Sequence, residues 1–209
     1  MKKKATIVSF EGIDGCGKST QAKKFVKYLK SCGLDVAFFK EPGTTIVGNK
    51  LRKILLSKKS NIRALSELLL YLAARNELVE QHIMPLMKKK KIVVLDRFID
   101  STIAYQGYGR GLPLRLIDIA HKNILKDIKP DITFLIDAPS RNLRMVVNQN
   151  PDRLEESQKF QEKVRRGYIA IARNEPERIK VIRRKSINET FESIKKSWQN
   201  YVNEHPTII

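Results

Sequence analysis

The sequence predicts an α/β fold in which helices cover both faces of a doubly wound, five-stranded parallel sheet. Short apolar runs alternate with segments of helical periodicity along the whole chain, which is the pattern of repeated βα units. Runs such as "IVVLD" at 92–96 are apolar at nearly every position, as expected for strands buried on both faces. A glycine-rich loop follows the first run and opens a helical segment, the order found in phosphate-binding α/β folds.

The elements follow one another in a regular order. The apolar runs predict strands at 5–10, 35–39, 92–96, 132–137 and 178–182. The helical periodicity predicts helices at 18–31, 46–57, 63–88, 98–127, 139–147, 155–174 and 187–203. Glycine and proline between 107 and 113 break the fourth of these helical regions. Right-handed crossovers between parallel strands then produce the doubly wound arrangement.

The length of the chain and the positions of its helix-breaking residues predict a single domain with one short lid. A chain of 209 residues is long enough for one substantial core, and no linker or internal repeat divides it. We therefore expect one domain over 1–209. Asn and Pro in "VNQNPDR" at 147–153 separate two helices and mark a lid at about 147–156.

The amino-acid composition limits the cellular compartments and the classes of partner that the protein can have. No apolar run approaches the roughly 18 residues that a membrane span needs, and Cys16 and Cys32 do not form a disulfide framework. We therefore expect a cytoplasmic protein with no membrane partner. The formal net charge of +19 attracts polyanions or phosphate-bearing small molecules. The basic runs lack interleaved aromatic residues, so nucleic acid is the less favoured of the two partners.

The loop after the first strand carries the first chemical signal. Gly12, Gly17, Lys18 and Ser19 satisfy the pattern G-x-x-x-x-G-K-[ST] in its strand-to-helix context. Glycines allow backbone N–H groups to approach phosphate oxygens, and a helix N-terminus favours negative charge there. Lys18 adds a charge at the β- and γ-phosphates, and the Ser19 hydroxyl is placed to bind Mg²⁺. The loop therefore predicts a nucleoside triphosphate and Mg²⁺ as ligands, with the nucleotide held by Gly12, Ile13, Asp14, Gly15, Cys16, Gly17, Lys18, Ser19 and Thr20.

Cys16 allows two interpretations. The favoured one is a small residue that fills space inside the loop. In the alternative, the helix N-terminus lowers the pKa of the thiol and makes it sensitive to oxidants.

Three further motifs follow strands or border the lid. "KEPG" follows the second strand, "DRF" ends the third, and "NPDRLEE" lies at the lid, so we expect the motifs to converge at the carboxyl edge of the sheet. Asp96 is predicted to support Mg²⁺ or its waters, and Arg97 to face phosphates. Arg144 and Arg153 flank the lid and are candidates to stabilise a phosphoryl group in transfer. The N-K-x-D motif of a GTPase is missing, and a helicase needs more motifs.

Six motifs resemble the thymidylate kinase family across nearly the whole chain. They are "FEGIDGCGKSTQAKK", "EPGTTIVGNKLRKIL", "ELLLYLAARNELVE", "LDRFIDSTIAYQGYGRG", "KPDITFLID" and "DRLEE…VRRGYIAIA". Asp96 to Gly111 is the most specific of these stretches. The resemblance implies a nucleoside monophosphate kinase type of P-loop fold, a homodimer, and ATP-Mg²⁺-dependent phosphorylation of dTMP to dTDP.

The resemblance also implies a set of substrate contacts. On the base side, Tyr71 stacks on thymine, while Arg75 and Gln106 hydrogen-bond the base edge with Thr102 beside them. Stacking of a base on an aromatic ring is worth about 1–3 kcal/mol. The remaining implied residues bind the phosphate and sugar or close the acceptor site: Arg52 and Arg97 at the phosphate, Asp14 at the 3′-hydroxyl, Tyr105 against the 2′ position, and Glu41 and Glu155 around the site.

The sequence departs from the family pattern at several positions. Thr44 replaces a usual glycine and Asn49 a common glutamate, which affects the loop after the second strand. Gly15 is not an arginine, and this favours Arg153 of the lid as the catalytic arginine. The segment "VIRRKS" lacks the acid that often follows the last strand, so no adenine contact is assigned.

Two other functions stay open at this stage. A kinase for another nucleoside monophosphate would be recognised by a screen of dTMP, dUMP, dCMP, AMP and GMP. A basic nucleic-acid-binding protein with a P-loop would bind DNA or RNA with a steep salt dependence.

Overall fold

The computed structural model describes residues 5–57, 59–89, 91–126, 128–139 and 158–206. In these ranges it contains one five-stranded sheet of order β2-β3-β1-β4-β5, with all four strand pairs parallel. The strands are β1 Thr6–Glu11, β2 Val36–Lys40, β3 Ile92–Asp96, β4 Ile132–Asp137 and β5 Ile179–Arg183. Each predicted strand is confirmed to within one residue at either end, because a run that is buried on both faces is apolar along its whole length.

The long helices also agree with their sequence patterns. They are α1 Lys18–Ser31, α2 Ile46–Leu56, α3 Ala64–Leu78, α7 Gln158–Asn174 and α8 Ile187–Glu204. The predicted helix 63–88 runs through α3, a π-helical segment Val79–Ile83 and the short α4 Met84–Leu86. The predicted helix 139–147 and the lid at 147–156 lie outside the described residues, as does the start of the helix predicted from 155.

The region after β3 contains an unexpected helix type. The predicted helix 98–127 consists of α5 Ile99–Thr102, a second π-helical segment Ile103–Gly109 and α6 Leu114–Leu125. The break near 107–113 is confirmed. The segment packs closely on α7, where a Cβ at Gly109 would lie 2.9 Å from the Phe160 ring. Such π-helical segments occur often at functional sites.

Alternate residues of β1 face two different environments. Val8 and Phe10 point to a cluster with α1 and α8, in which the Phe10, Phe25 and Phe134 ring centroids lie 5.3–5.6 Å apart. On the other face, Ile7 packs with a second apolar cluster. Both faces of the sheet are therefore covered, and the polar groups of the site are confined to the carboxyl edge.

A buried ion pair anchors the helix that follows β3. The Asp100 carboxylate, 1% exposed, accepts hydrogen bonds from Arg178 Nη1 at 2.8 Å and Nη2 at 2.7 Å. Thr133 of β4 also donates to it at 3.2 Å. Because breaking a buried pair leaves an uncompensated charge, at a typical cost of about 3–5 kcal/mol, this contact holds α5 firmly against the sheet. No helix in the described ranges has the length and apolarity that crossing a bilayer requires.

Candidate active site

The glycine loop forms the first wall of the site. Gly12, Gly15 and Gly17 have φ angles of 140°, 75° and 94°, which are unfavourable for residues with a Cβ. At Gly12 a Cβ would also lie 2.7 Å from both Cys16 Sγ and the Ile136 carbonyl oxygen. Gly17 precedes α1 and no side chain caps the helix, so the first N–H groups of α1 are oriented to bind an anion.

Lys18 and Asp14 lie together on this wall. The Lys18 ammonium is 3.3 Å from the Ile13 carbonyl oxygen and 3.4 Å from Asp14 Oδ1. Desolvation opposes ionisation of Asp14, but the charges of Arg97 and Lys18 and a hydrogen bond from Tyr105 outweigh it. Together they hold the pKa of Asp14 well below its usual value. Asp14 is therefore a permanent hydrogen-bond acceptor at neutral pH.

Arg97 connects the end of β3 to the loop. Its Nη1 donates to the Gly12 carbonyl oxygen at 3.1 Å, and its Nη2 donates to Asp14 and to the Tyr105 hydroxyl. Its backbone lies in the left-handed region, with φ 73°, which is uncommon for a residue with a side chain and costs of order 1–3 kcal/mol. Such strain persists only where the surrounding contacts enforce it.

Glu11 provides many of the contacts that hold Arg97 in this conformation. Its carboxylate is fully buried and accepts from the Phe98 N–H at 2.6 Å, the Ser101 hydroxyl at 2.6 Å and the Tyr168 hydroxyl at 3.0 Å. Arg97 Nη1 donates to the same two hydroxyls, at 3.0 Å and 3.1 Å. Burial and the nearby charge of Asp100 raise the pKa of Glu11.

The sequence analysis assigned no role to Glu11, Ser101 or Tyr168. An acid at the end of a mostly apolar strand, immediately before the glycine loop, is the signal that could have identified Glu11. Its partner Tyr168 lies 157 residues further along the chain and cannot be recognised by local spacing.

One cavity, with a volume of about 230 Å³, joins the glycine loop to the polar groups at the ends of β2 and β3. Thirteen of the residues predicted to bind nucleotide, metal or acceptor line it: Asp14, Gly15, Lys18, Ser19, Glu41, Arg52, Tyr71, Arg75, Asp96, Arg97, Thr102, Tyr105 and Gln106. Gly12, Ile13, Cys16, Gly17 and Thr20 belong to the adjoining loop. Arg144, Arg153 and Glu155 lie outside the described residues. The geometry brings the described candidates together, and their individual roles stay predictions.

Arg75 is held more tightly than a surface cation would be. Its side chain is 2% exposed and donates to Glu41, to Thr102 at 2.7 Å and to the Phe98 carbonyl oxygen at 2.9 Å. His121 Nε2 lies 2.9 Å from Nη1. Burial and the Arg75 charge lower the pKa of His121 to about 3, so the imidazole is neutral and can accept this hydrogen bond.

The last residue of β2 is a cavity residue that the sequence patterns did not identify. Lys40 lines the cavity, where desolvation and the neighbouring Arg52 charge lower its pKa. Thr44, one of the departures from the family pattern, donates its hydroxyl to the Lys40 carbonyl oxygen at 3.0 Å and accepts from the Lys40 N–H at 3.2 Å. Thr44 therefore closes the loop through its side chain. Asn49 is exposed on α2.

Cys16 is a buried filler of the loop, as the favoured interpretation stated. Its side chain is 1% exposed, and burial raises the pKa of the thiol despite the opposing charge of Lys18. The alternative of a low-pKa, oxidant-sensitive thiol is wrong, because desolvation of the thiolate outweighs the field of the helix terminus.

Asp96 suits a metal ion or the water bound to it. Its carboxylate is 1% exposed, and neither oxygen has a hydrogen-bond partner among the described residues. A buried acceptor without a partner is costly, and Mg²⁺ prefers carboxylate and hydroxyl oxygens. Asp96 and Ser19 line the same cavity, so the residues present fit the predicted cation.

The parallel sheet, the glycine loop after β1 and the arginine after β3 define the class of P-loop phosphotransferases. The family model described as "Thymidylate kinase" matches residues 10–194, and the chain belongs to the thymidylate kinase family.

Individual relatives agree with this assignment. A thymidylate kinase of Caldanaerobacter subterraneus is 44% identical over 178 residues, covering 84% of this chain and 86% of the relative. One of Thermosipho africanus is 44% identical over 191 residues, covering 90% and 95%. The crystal structure of the Ehrlichia chaffeensis thymidylate kinase superposes with a TM-score of 0.79 at 38% identity, covering 93% of this chain and 98% of that one.

We expect Tyr168→Phe to lower kcat about 5- to 30-fold, because the change removes one hydroxyl that contacts both Glu11 and Arg97. This range corresponds to about 1–2 kcal/mol for a buried hydrogen-bond partner. Steady-state kinetics with both substrates at saturation measures the effect. Tyr108→Phe is the matched control, since Tyr108 is 37% exposed, and it should keep full activity. Equal kcat values for the two variants would contradict the positioning role of Tyr168.

Proposed function

We propose that this protein transfers the γ-phosphoryl group of ATP to dTMP, producing dTDP. Membership of the thymidylate kinase family supports this activity. The observation that carries it is the single cavity that joins a phosphate-binding loop, at Lys18 and Ser19, to an aromatic and amide surface at Tyr71 and Gln106. This arrangement has room for a phosphate at one end and a flat heterocycle at the other.

The donor side is formed by the glycine loop. The N–H groups of the loop and of the first turn of α1 bind the phosphates of ATP, and Lys18 places its charge beside them. Ser19 and Asp96 would hold Mg²⁺. When it is bound, this ion neutralises the charge of the phosphate oxygens.

The acceptor side is formed by residues from β3 and the helices beside it. Arg97 and Arg52 attract the acceptor phosphate, and Asp14 accepts a hydrogen bond from the sugar hydroxyl. The Tyr105 hydroxyl donates to Asp14 at 2.7 Å, which keeps the tyrosine ring beside the sugar and favours a deoxyribose. Tyr71 supplies the aromatic face for the base. Arg75, Thr102 and Gln106 supply polar contacts to the base, and Glu41 holds Arg75.

The chemical step requires little beyond positioning and charge. An oxygen of the acceptor phosphate forms a bond to the γ-phosphorus as the bond to the bridging β,γ-oxygen breaks, and the electron pair leaves with ADP. The second pKa of a phosphate monoester is about 6, so the nucleophile is already anionic and needs no strong base. Lys18 and Arg97 stabilise the charge that develops on the transferred group. The roles predicted for Arg153, Arg144 and Glu155 remain part of the proposal on the sequence alone, because these residues lie outside the described ranges.

We also propose that the protein is a homodimer. Helices α2, α3 and α6 expose large apolar side chains at Ile46, Ile54, Leu65, Leu69, Leu116 and Ile119, which are between 39% and 80% accessible. Apolar patches of this kind mark interaction surfaces, and a second copy of the chain would bury them.

Two wider assignments follow from the same chemistry. A kinase that consumes ATP and retains free thiols at Cys16 and Cys32 fits the reducing cytoplasm. The same cavity makes a nucleic-acid-binding role less favoured. Its cationic groups line a pocket of the size of a single nucleotide, which suits a small substrate better than a long polymer.

A coupled assay with ATP and dTMP, dUMP, dCMP, AMP or GMP tests the activity. We expect dTMP to give the highest kcat/KM and dUMP to follow at roughly one quarter of it, because burial of one methyl group is worth about 0.8 kcal/mol. A higher kcat/KM for dUMP than for dTMP would refute the proposed base pocket. A preference for AMP or GMP would refute the proposed substrate class.

Asp96→Asn should raise the Mg²⁺ concentration for half-maximal activity by about tenfold or more, since changes around a metal site commonly cost 10- to 100-fold in affinity. Titration of Mn²⁺ in the presence of ATP, followed by electron paramagnetic resonance, gives a readout independent of turnover. Asp118→Asn is the control because Asp118 is 59% exposed and pairs with Lys122 on the surface. Identical metal titrations for Asp96→Asn and the wild type would exclude Asp96 from the metal site.

Leu69→Glu should convert the dimer to a monomer, because it places a charge in the middle of the apolar surface of α3. Sedimentation equilibrium should give twice the chain mass of 24.1 kDa for the wild type and a single chain mass for the variant. Ile187→Glu, on an exposed residue of α8, should remain dimeric. A monomeric wild type, or a Leu69→Glu variant that stays dimeric, would show that this surface does not form the interface.

A further inference from the structure

We propose that Glu67 determines which bases the acceptor pocket admits, by fixing the side-chain amide of Gln106 as a hydrogen-bond acceptor toward the base. This inference rests on the proposed function in one respect: the cavity that Gln106 lines must take the acceptor nucleotide. The proposal gives a specificity role to Glu67. This residue does not line the cavity, and no sequence pattern indicated a role for it.

Glu67 is a charged residue in a position that only a specific pairing explains. It lies on α3 and is fully buried. Its Oε2 accepts from Arg110 Nη2 at 2.9 Å, and its Oε1 accepts from Arg110 Nε at 3.2 Å. The two-point contact between a carboxylate and a guanidinium is among the strongest and most directional in proteins. It fixes the orientation of the Glu67 carboxylate.

Arg110 is itself held in place from the other side. Its guanidinium lies over the Phe160 ring of α7, with 4.5 Å between the guanidinium carbon and the ring centroid. Stacking of arginine on an aromatic ring restricts the guanidinium plane. Arg110 directly follows the π-helical segment Ile103–Gly109, so the same segment that carries Gln106 also carries the cation that orients Glu67.

The contact between Glu67 and Gln106 decides which end of the amide faces the cavity. Gln106 Nε2 lies 2.8 Å from Glu67 Oε1, and a carboxylate paired with arginine can only accept hydrogen bonds. The atom of Gln106 that faces Glu67 must therefore be the NH₂ group. The opposite end, Oε1, receives no hydrogen bond from any residue in the described ranges. Gln106 lines the cavity and so presents a carbonyl oxygen to it.

An amide with a fixed carbonyl oxygen discriminates between pyrimidines. Thymine and uracil carry an N–H donor at N3, which matches this acceptor. Cytosine has a lone pair at N3, which would face the Gln106 oxygen without a hydrogen between them. A site built for one hydrogen-bond pattern rejects the other strongly, because buried polar groups are left unpaired. A free glutamine could rotate its amide and accept either base; Glu67 prevents that rotation.

Steady-state kinetics of the Glu67→Gln variant with dTMP, dCMP and dUMP test the inference. A glutamine at 67 offers either a donor or an acceptor, so Gln106 can turn its amide toward cytosine. We expect the ratio of kcat/KM for dTMP to that for dCMP to fall at least tenfold. The dTMP to dUMP ratio should stay within about twofold of the wild-type value, because these bases share the N3–H edge. A merely structural defect would lower all three activities together and leave both ratios unchanged.

Glu11→Gln is the matched control. It makes the same chemical change at another fully buried glutamate, but one that is linked to Arg97 at the phosphate end through the Ser101 and Tyr168 hydroxyls. It should lower the activity with every substrate and leave the dTMP to dCMP ratio unchanged. A folded Glu67→Gln enzyme with the wild-type ratio would overturn the inference. A wild type that does not prefer dTMP would instead refute the proposed function, so the two failures are distinguishable.

A measurement on the wild type covers the case in which Glu67→Gln does not fold. Protein labelled with [¹⁵N]glutamine shows the Gln106 side-chain NH₂ resonances, which are assigned by their loss in Gln106→Asn. Because these protons donate to Glu67, we expect them to be shifted downfield and protected from exchange before dTMP is added, and to stay so in its presence. Protection that appears only after dTMP binds would mean that the NH₂ group contacts the base, and would overturn the inference.

Discussion

Arg97 lies where the glycine loop and the end of β3 meet, and charge attracts its guanidinium to Asp14 and, through two hydroxyls, to Glu11. These contacts hold a backbone conformation that an isolated chain would seldom adopt. In the proposed function, the donor and acceptor phosphates both approach this point. A guanidinium held in advance loses little entropy when they bind, and it stabilises charge without reorganising. The Arg97 side chain therefore contacts both the glycine loop, at Gly12 and Asp14, and the helical segment after β3, at Ser101 and Tyr105.

Buried charges in the cavity wall and directly behind it follow a second rule, which is that each of them has a dedicated partner. Glu41 pairs with Arg75 and Glu67 pairs with Arg110. A buried pair contributes little net stability compared with apolar packing, yet it is expensive to disrupt. Such pairs make the pocket rigid and give it a fixed pattern of donors and acceptors. Asp96 departs from the rule, and the departure coincides with the position at which a cation is chemically suitable.

Recognition of the acceptor nucleotide thus divides into separate physical terms. In the proposed function, the Tyr71 ring supplies stacking, which depends weakly on the identity of the base. The thymine methyl group adds a small apolar contribution. Hydrogen-bond polarity, set at Gln106 by a residue that does not line the cavity, separates bases of similar shape but opposite donor pattern. In this proposal, the largest discrimination between bases therefore arises from the contact of Gln106 with Glu67, a residue that does not line the cavity.

The amino-acid sequence by itself determined the order and extent of the strands, the position of the glycine loop and most of the residues that line the cavity. These properties follow from local periodicity and from the strand ends, where parallel strands bring their chemistry to one edge. Only the tertiary structure decided the π-helical form of Ile103–Gly109, and the pairing of Glu67 with Arg110 and of Glu11 with Tyr168. These contacts join residues 43 and 157 positions apart. Packing and charge in three dimensions, rather than local spacing, select such partners.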